Sequence, residues 1–126
     1  MITISATAKK DVPKGASFFS DVADRILGKD YELSLVFVGN SLSRKLNLAH
    51  RQIDKPTDIL SFTLDKESGE IFINLPYSKR KCKKFDRSFS NYIKFIFIHG
   101  CFHLKGFEHG SRMDSEELKI QKEFNV

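Results

Sequence analysis

Cysteine is scarce in this chain: Cys82 and Cys101 are its only two, in unlike contexts and without a CxxC spacing. A disulfide framework is therefore not the expected source of stability, and a reducing, cytoplasmic setting fits. Long apolar runs are also missing. The longest, residues 92–104, is interrupted by Lys94, His99 and His103 and falls short of the roughly 20 apolar residues that span a bilayer. The first residues, Met1-Ile2-Thr3-Ile4-Ser5-Ala6, have no basic stretch leading into an apolar one, so no secretory signal is expected. Repeats, linkers and low-complexity tracts are lacking too. At 126 residues the chain suits a single domain, residues 1–126, with one core and room for one site.

What the chain has in excess is positive charge. Lysine and arginine number 21 against 16 acidic residues, a formal net charge of +5, with a pI near 9.2. That balance favours polyanionic partners without naming one. The 40% hydrophobic and 29% charged fractions are ordinary for a globular protein and argue against disorder.

Periodicity places the elements. Residues 2–6 read as a short strand, and Val12-Pro13-Lys14-Gly15 as a turn. Phe18/Phe19, Val22/Ala23 and Ile26/Leu27 form a helical stripe that Gly28 should end. In residues 31–38 the apolar side chains occupy both faces, which suggests a central strand. After Gly39-Asn40, Ser41 is a candidate cap for a helix with Leu42, Leu46 and Ala49 on its stripe and Arg51 at its end. Pro56 disfavours helical geometry at Lys55. Residues 59–64 and 70–75 then read as a hairpin. A basic segment, 77–85, precedes the most apolar stretch, which Ser88 or Ser90 could cap and which is long enough to be a buried helix. Gly106 is its natural stop. A last helix should cover 111–124, with Met113, Ile120 and Phe124 inward and Asp114, Glu116 and Glu117 placed early, where they suit the helix dipole.

Three of the four histidines fall in His99-Gly100-Cys101-Phe102-His103-Leu104-Lys105-Gly106-Phe107-Glu108-His109. On a helix, His99 and His103 share a face with Cβ atoms about 6 Å apart, close enough to bind one ion. Gly106 can turn the chain back so that His109 reaches the same ion. The spacing HxxxHxxGxxH matches the ligand pattern of the metzincin proteases, in which three imidazoles hold zinc and leave a coordination position open. Position 100, however, is Gly where those enzymes carry their general base, which argues against proteolysis. The alternatives are a metal that only holds the fold, and histidines with ordinary packing roles. Cys101 points to the far side of the helix and reads as core. Glu108, beside His109, is a candidate base or ligand-supporting carboxylate but reads first as an exposed loop residue; His50 reads as a surface residue at a helix end, and Met113, though placed like the methionine of the metzincin Met-turn, as a packing residue of the last helix.

Beyond the histidine motif, Leu46-Asn47 through Arg51 to Asp54-Lys55-Pro56-Thr57-Asp58-Ile59-Leu60-Ser61-Phe62, followed by Gly69-Glu70-Ile71-Phe72-Ile73, resembles the bacterial single-domain metal-dependent endoribonucleases called YbeY. The resemblance implies an α+β fold with a four-stranded sheet and a buried helix carrying the first two histidines. It also implies zinc, one ion per chain, on His99, His103 and His109, with Arg51 as the functional arginine. Glu108 and Phe107 depart from the Asp and Tyr usual in that family, and neither change touches a ligand. A guanidinium facing a metal could grip a phosphate bidentately and offset charge developing on it. Lys79-Arg80-Lys81-Cys82-Lys83-Lys84, with Arg87, is the densest basic run and is either a phosphate track or a solvated helix face.

These readings together give a zinc-dependent, single-strand-type endoribonuclease. Its expected setting is ribosomal RNA processing and ribosome quality control, with ribosomal RNA or its precursors as substrate and ribosomal proteins as a further partner class. The alternative is a non-catalytic RNA-binding ribosome-assembly factor stabilised by its metal.

Overall fold

The computed structural model describes residues 1–7 and 12–126. Among these residues four strands, β1 (Ile2–Ala6), β2 (Glu32–Val38), β3 (Ile59–Asp65) and β4 (Ser68–Asn74), are joined by five helices. These are α1 (Ala16–Leu27), α2 (Asn40–Arg51), α3 (Leu75–Lys81), α4 (Phe89–Leu104) and α5 (Ser111–Phe124), and a 3-10 turn over Cys82–Phe85 follows α3. The sheet order is β1-β2-β4-β3. β1, β2 and β4 run parallel, and β3 pairs antiparallel with β4 to form an edge. This is the expected α+β fold with a four-stranded sheet.

β2 is central, as its two apolar faces require. Leu33, Leu35 and Phe37 are buried on one side, and Val38 is buried on the other. α4 lies over the first face, flanked by α1 and α5. Its Ile93, Ile96, Phe97, Ile98, Cys101 and Phe102 are buried, as a helix apolar all round must be. Phe97 meets Phe19 of α1 edge-on at 4.9 Å between ring centroids. Ser88 caps α4 by accepting a hydrogen bond from the Asn91 amide at 3.1 Å. Among the described residues no helix is long and apolar enough to cross a membrane.

Several local expectations shift. The cap residue of α2 is Gly39 and not Ser41, and no side chain bonds the helix start. The buried residues of α2 are polar: Ser43 and Asn47, while Ala49 is exposed. The reason is the following loop, whose backbone needs partners. Ser43 Oγ donates to the Thr57 carbonyl at 2.9 Å and accepts from the Thr57 amide at 3.0 Å. Asn47 Nδ2 donates to the Lys55 carbonyl at 2.8 Å. Buried backbone groups left unpaired are costly, so this face satisfies the loop that leads to the site. The β3–β4 hairpin is also tighter than the sequence suggests, turning through Lys66-Glu67 alone, and Leu75 opens α3 instead of ending β4.

Candidate metal centre and the cleft around it

His99 and His103 stand one turn apart near the C-terminal end of α4, half-buried and on one face. The helix then stops abruptly. Gly106 adopts φ +103; its amide donates to the His103 carbonyl at 3.0 Å and the Phe107 amide to the Phe102 carbonyl at 3.0 Å. This pair of bonds closes the helix end through a left-handed glycine, and the accompanying apolar contact is present as Phe102 against Phe107, 5.4 Å between centroids. The reversed chain brings His109 back over the helix end. Its ring centroid lies 5.1 Å from that of His99 and 4.6 Å from that of His103.

One ring nitrogen from each histidine lies within 4.8 Å of the others, and among the described residues no other His, Cys, Asp or Glu joins the group. His99 Nε2 and His103 Nε2 are 3.0 Å apart. A tetrahedral ion with nitrogen ligands at about 2.0–2.1 Å separates those ligands by about 3.3 Å, so the arrangement fits a single ion with little movement. An all-imidazole donor set suits a borderline divalent metal of the zinc, copper, iron or nickel class.

The surroundings favour ligand-competent rings. His99 Nδ1 lies 2.5 Å from Glu117 Oε1, a bond that keeps the proton on Nδ1 and turns the Nε2 lone pair toward the other histidines. His103 holds its proton less readily than a free imidazole: burial is the main cause, followed by the neighbouring His99 and His109, with a hydrogen bond to the Phe107 backbone working the other way. Only the neutral ring can ligate.

Glu117 is a site residue that sequence reasoning assigns elsewhere, to the helix dipole. It is 8% exposed, and it projects inward from α5 between Met113 and Ile120, both buried. The spacing 113, 117, 120, 124 is the signal that could have found it: a carboxylate on an apolar helical stripe needs a partner.

Gly100 explains the missing general base. A Cβ there would lie 2.8 Å from Ile59 Cδ1 and 2.9 Å from Ser61 Oγ, so position 100 faces β3 across a close helix–sheet contact, with no room for a glutamate. Cys101 is fully buried, and burial raises its thiol far above the ordinary range; it is core, as expected. Glu108 is exposed. His50 is exposed and packs its ring on Phe62 at 4.3 Å. Met113 is 1% exposed and packs in the core.

The three histidines open onto a cleft of about 550 Å³, which Arg51 also lines. Arg51 is the last residue of α2, where Gln52 turns the chain with φ +59. Asp58, Lys81, Phe85, Tyr92 and Phe95 line the same cleft. Asp58 is buried but not isolated. Its Oδ2 accepts from the Tyr92 hydroxyl at 2.6 Å and pairs with Lys81 Nζ at 3.3 Å. Burial and the Asp58 carboxylate together hold the Tyr92 hydroxyl protonated, well above its ordinary value. The cleft thus joins a nitrogen-donor cluster to fixed cations and an aromatic surface, a combination suited to a phosphate ester.

Residues 4–125 match the model of a family described as Endoribonuclease YbeY. A protein of Aliarcobacter butzleri named Endoribonuclease YbeY is 37% identical over 109 residues, 82% of this chain and 75% of the relative. One of the same name from Campylobacter jejuni is 36% identical over 117 residues, 86% and 85% of the two chains. The solution structure of a Thermotoga maritima protein shares the fold, with a TM-score of 0.68 over 98% of this chain and 89% of the other at 24% identity.

Proposed function

The chain belongs to the Endoribonuclease YbeY family, and from that premise we propose that residues 1–126 form one zinc-dependent domain that cleaves single-stranded RNA. Its setting is ribosomal RNA processing and ribosome quality control in the cytoplasm, with ribosomal RNA or its precursors as substrate and ribosomal proteins nearby. His99, His103 and His109 hold one zinc ion through their ring nitrogens. When bound, the ion supplies Lewis acidity toward a phosphodiester oxygen and toward water. Glu117 keeps His99 in the ligating tautomer. Arg51 takes two phosphate oxygens in its planar fork and offsets the negative charge that grows there during cleavage. Three nitrogen donors leave a coordination position for substrate, which favours catalysis over a purely structural ion.

The observation that carries this reading is the convergence of three imidazoles and the Arg51 guanidinium on one cleft. Its test is metal analysis of the purified protein coupled to cleavage of a ribosomal RNA precursor, with and without chelator. We expect about one zinc per chain, cleavage abolished by chelation and cleavage restored by zinc. Full activity after complete metal removal would overturn the proposal.

A further inference from the structure

Phe85 is 47% exposed, an unusual position for a large apolar ring lining the wall of a cleft beside charged groups. Its own element does not hide it. The 3-10 turn is anchored from below by Cys82, which is buried and whose thiol donates to the Lys79 carbonyl at 3.3 Å. The turn is closed by Asp86 at φ +53 and by the Arg87 amide donating to the Cys82 carbonyl at 3.2 Å. Phe85 is therefore held outward by a defined turn. Its ring lies 5.5 Å from that of the buried Tyr92 and 6.2 Å from that of the half-buried Phe95, so Phe85 is the exposed tip of an aromatic cluster in the cleft wall.

Cations rim this cluster. Lys81, paired with Asp58, sits 5.8 Å from the Phe85 ring and 5.7 Å from the Tyr77 ring. The Arg87 guanidinium lies 4.1 Å over Phe95. A second hollow of about 200 Å³, lined by Tyr77, Arg80, Lys81 and Lys84, adjoins the cleft through Lys81, which lines both. Aromatic faces alternating with cations are what a single-stranded nucleic acid needs: a flat surface for a base and positive charge for the phosphates on either side. A regular duplex keeps its bases stacked on one another and offers none to such a face.

We propose that Phe85 is a base-stacking platform for single-stranded RNA, seating a nucleotide near the scissile phosphate while the strand continues over Tyr77, Arg80 and Lys84. The inference rests on the proposed endoribonuclease function and adds a substrate subsite to it. The platform selects strands whose bases are free to leave their neighbours, and it is tolerant of base identity because every base has a π-face.

The test measures binding of a fluorescent single-stranded RNA oligonucleotide, its duplex, and a series of the same oligonucleotides each carrying one abasic position, with cleavage of the single strand followed in parallel. The proteins are the zinc-loaded parent, Phe85→Ala, Phe85→Leu and Phe85→Trp, with thermal unfolding and zinc content as controls on folding. We expect Phe85→Ala and Phe85→Leu to lose about 5- to 100-fold in single-strand affinity, Phe85→Trp to keep it, and duplex binding to be unchanged. One abasic position should weaken binding to the parent but not to Phe85→Ala, because the base it lacks is the one that stacks. Equal single-strand affinity in the parent and Phe85→Ala overturns the platform while leaving the nuclease reading intact. A parent that neither binds nor cleaves single-stranded RNA removes that reading and the platform with it. Binding to phosphatidylserine vesicles that Phe85→Ala abolishes, with RNA affinity untouched, would assign the surface to a membrane and overturn the proposal.

Discussion

The histidine wall of the cleft is set from inside the fold, whereas the cationic wall stands in solvent. His99 and His103 ride on a helix whose other faces are core, and Glu117 and the left-handed turn at Gly106 fix the rings from behind. Arg51, at the end of α2, lines the cleft, Arg80 and Lys84 line the adjoining hollow, and Lys79 and Lys83 stand beside them on α3 and the turn after it, all five exposed. The difference suits the chemistry proposed for each wall. A ring that must stay neutral and aimed to within a fraction of an ångström needs burial and a buried partner. A cation that must meet a phosphate needs to keep its charge and stay accessible. Damage to the first wall should therefore remove function altogether, and damage to the second should reduce it in steps.

The largest effect is expected from replacing His99, His103 and His109 together by alanine: zinc content should fall to background and RNA cleavage with it, while the core, which these side chains do not fill, keeps the protein folded. Metal analysis beside circular dichroism checks both halves. Acid should reach the same end gradually. His103 gains its proton in the folded protein only below the ordinary imidazole value of 6.5. Its contribution to stability is thus complete above that ordinary value and declines as the pH falls through its lower folded one. Zinc loss should follow the same direction, and zinc held undiminished at about pH 4, where free imidazoles are protonated, would contradict imidazole ligation.

Arg51→Ala comes next. The side chain is exposed, so zinc content and melting temperature should stay near those of the parent, while cleavage falls by about 10²- to 10³-fold if the guanidinium faces charge that develops during the reaction. Arg51→Lys should recover only part of that, because an ammonium lacks the planar fork. Cleavage by Arg51→Ala at the parental rate would remove the arginine from the mechanism and leave the histidine wall to act alone.

Glu117 sharpens the comparison from the other side, since its contact with the site is through His99. Glu117→Gln should weaken zinc binding by about 10- to 100-fold, and excess zinc should restore cleavage. Zinc will not restore Arg51→Ala, and that contrast separates a residue that positions a ligand from one that meets the phosphate. Competition against a chromogenic chelator gives the affinity directly.

The two walls also differ in how far the sequence reveals them. The histidines are legible because their positions are fixed by local geometry: a four-residue step on one helix, a glycine that must turn and a third ring just beyond it. Arg51 emerges only through a resemblance, because a single arginine at a helix end carries no pattern of its own. Glu117 reads as a dipole partner because its true partner lies 18 residues away on another helix. The inward Ser43 and Asn47 escape notice for the same reason, their partners being backbone groups of a loop. Asp58 and Tyr92 meet across 34 residues, a pairing that periodicity cannot express. The central place of β2 and the burial of α4 follow more readily from apolar patterning, which acts along the whole element.

The smallest expected effect belongs to the basic run, where Lys81 must be separated from its neighbours. Lys81 is partly withdrawn from solvent and bound to the buried Asp58, so its loss strands a carboxylate and changes the cleft itself. Among the described residues Lys79, Arg80, Lys83 and Lys84 have no such buried partner, and neutralising these four to glutamine should shift stability by no more than about 0.5 kcal/mol each. If they meet phosphates, RNA affinity should fall alike for all sequences. The slope of log affinity against log salt should then flatten by about 0.7 for each single-strand phosphate that is no longer neutralised. Zinc content and the response to Arg51→Ala should not move. Binding isotherms at several salt concentrations decide the matter: a parental slope in the fourfold variant would mean that these residues are a solvated helix face, and that charge capture rests on Arg51, Lys81 and Arg87.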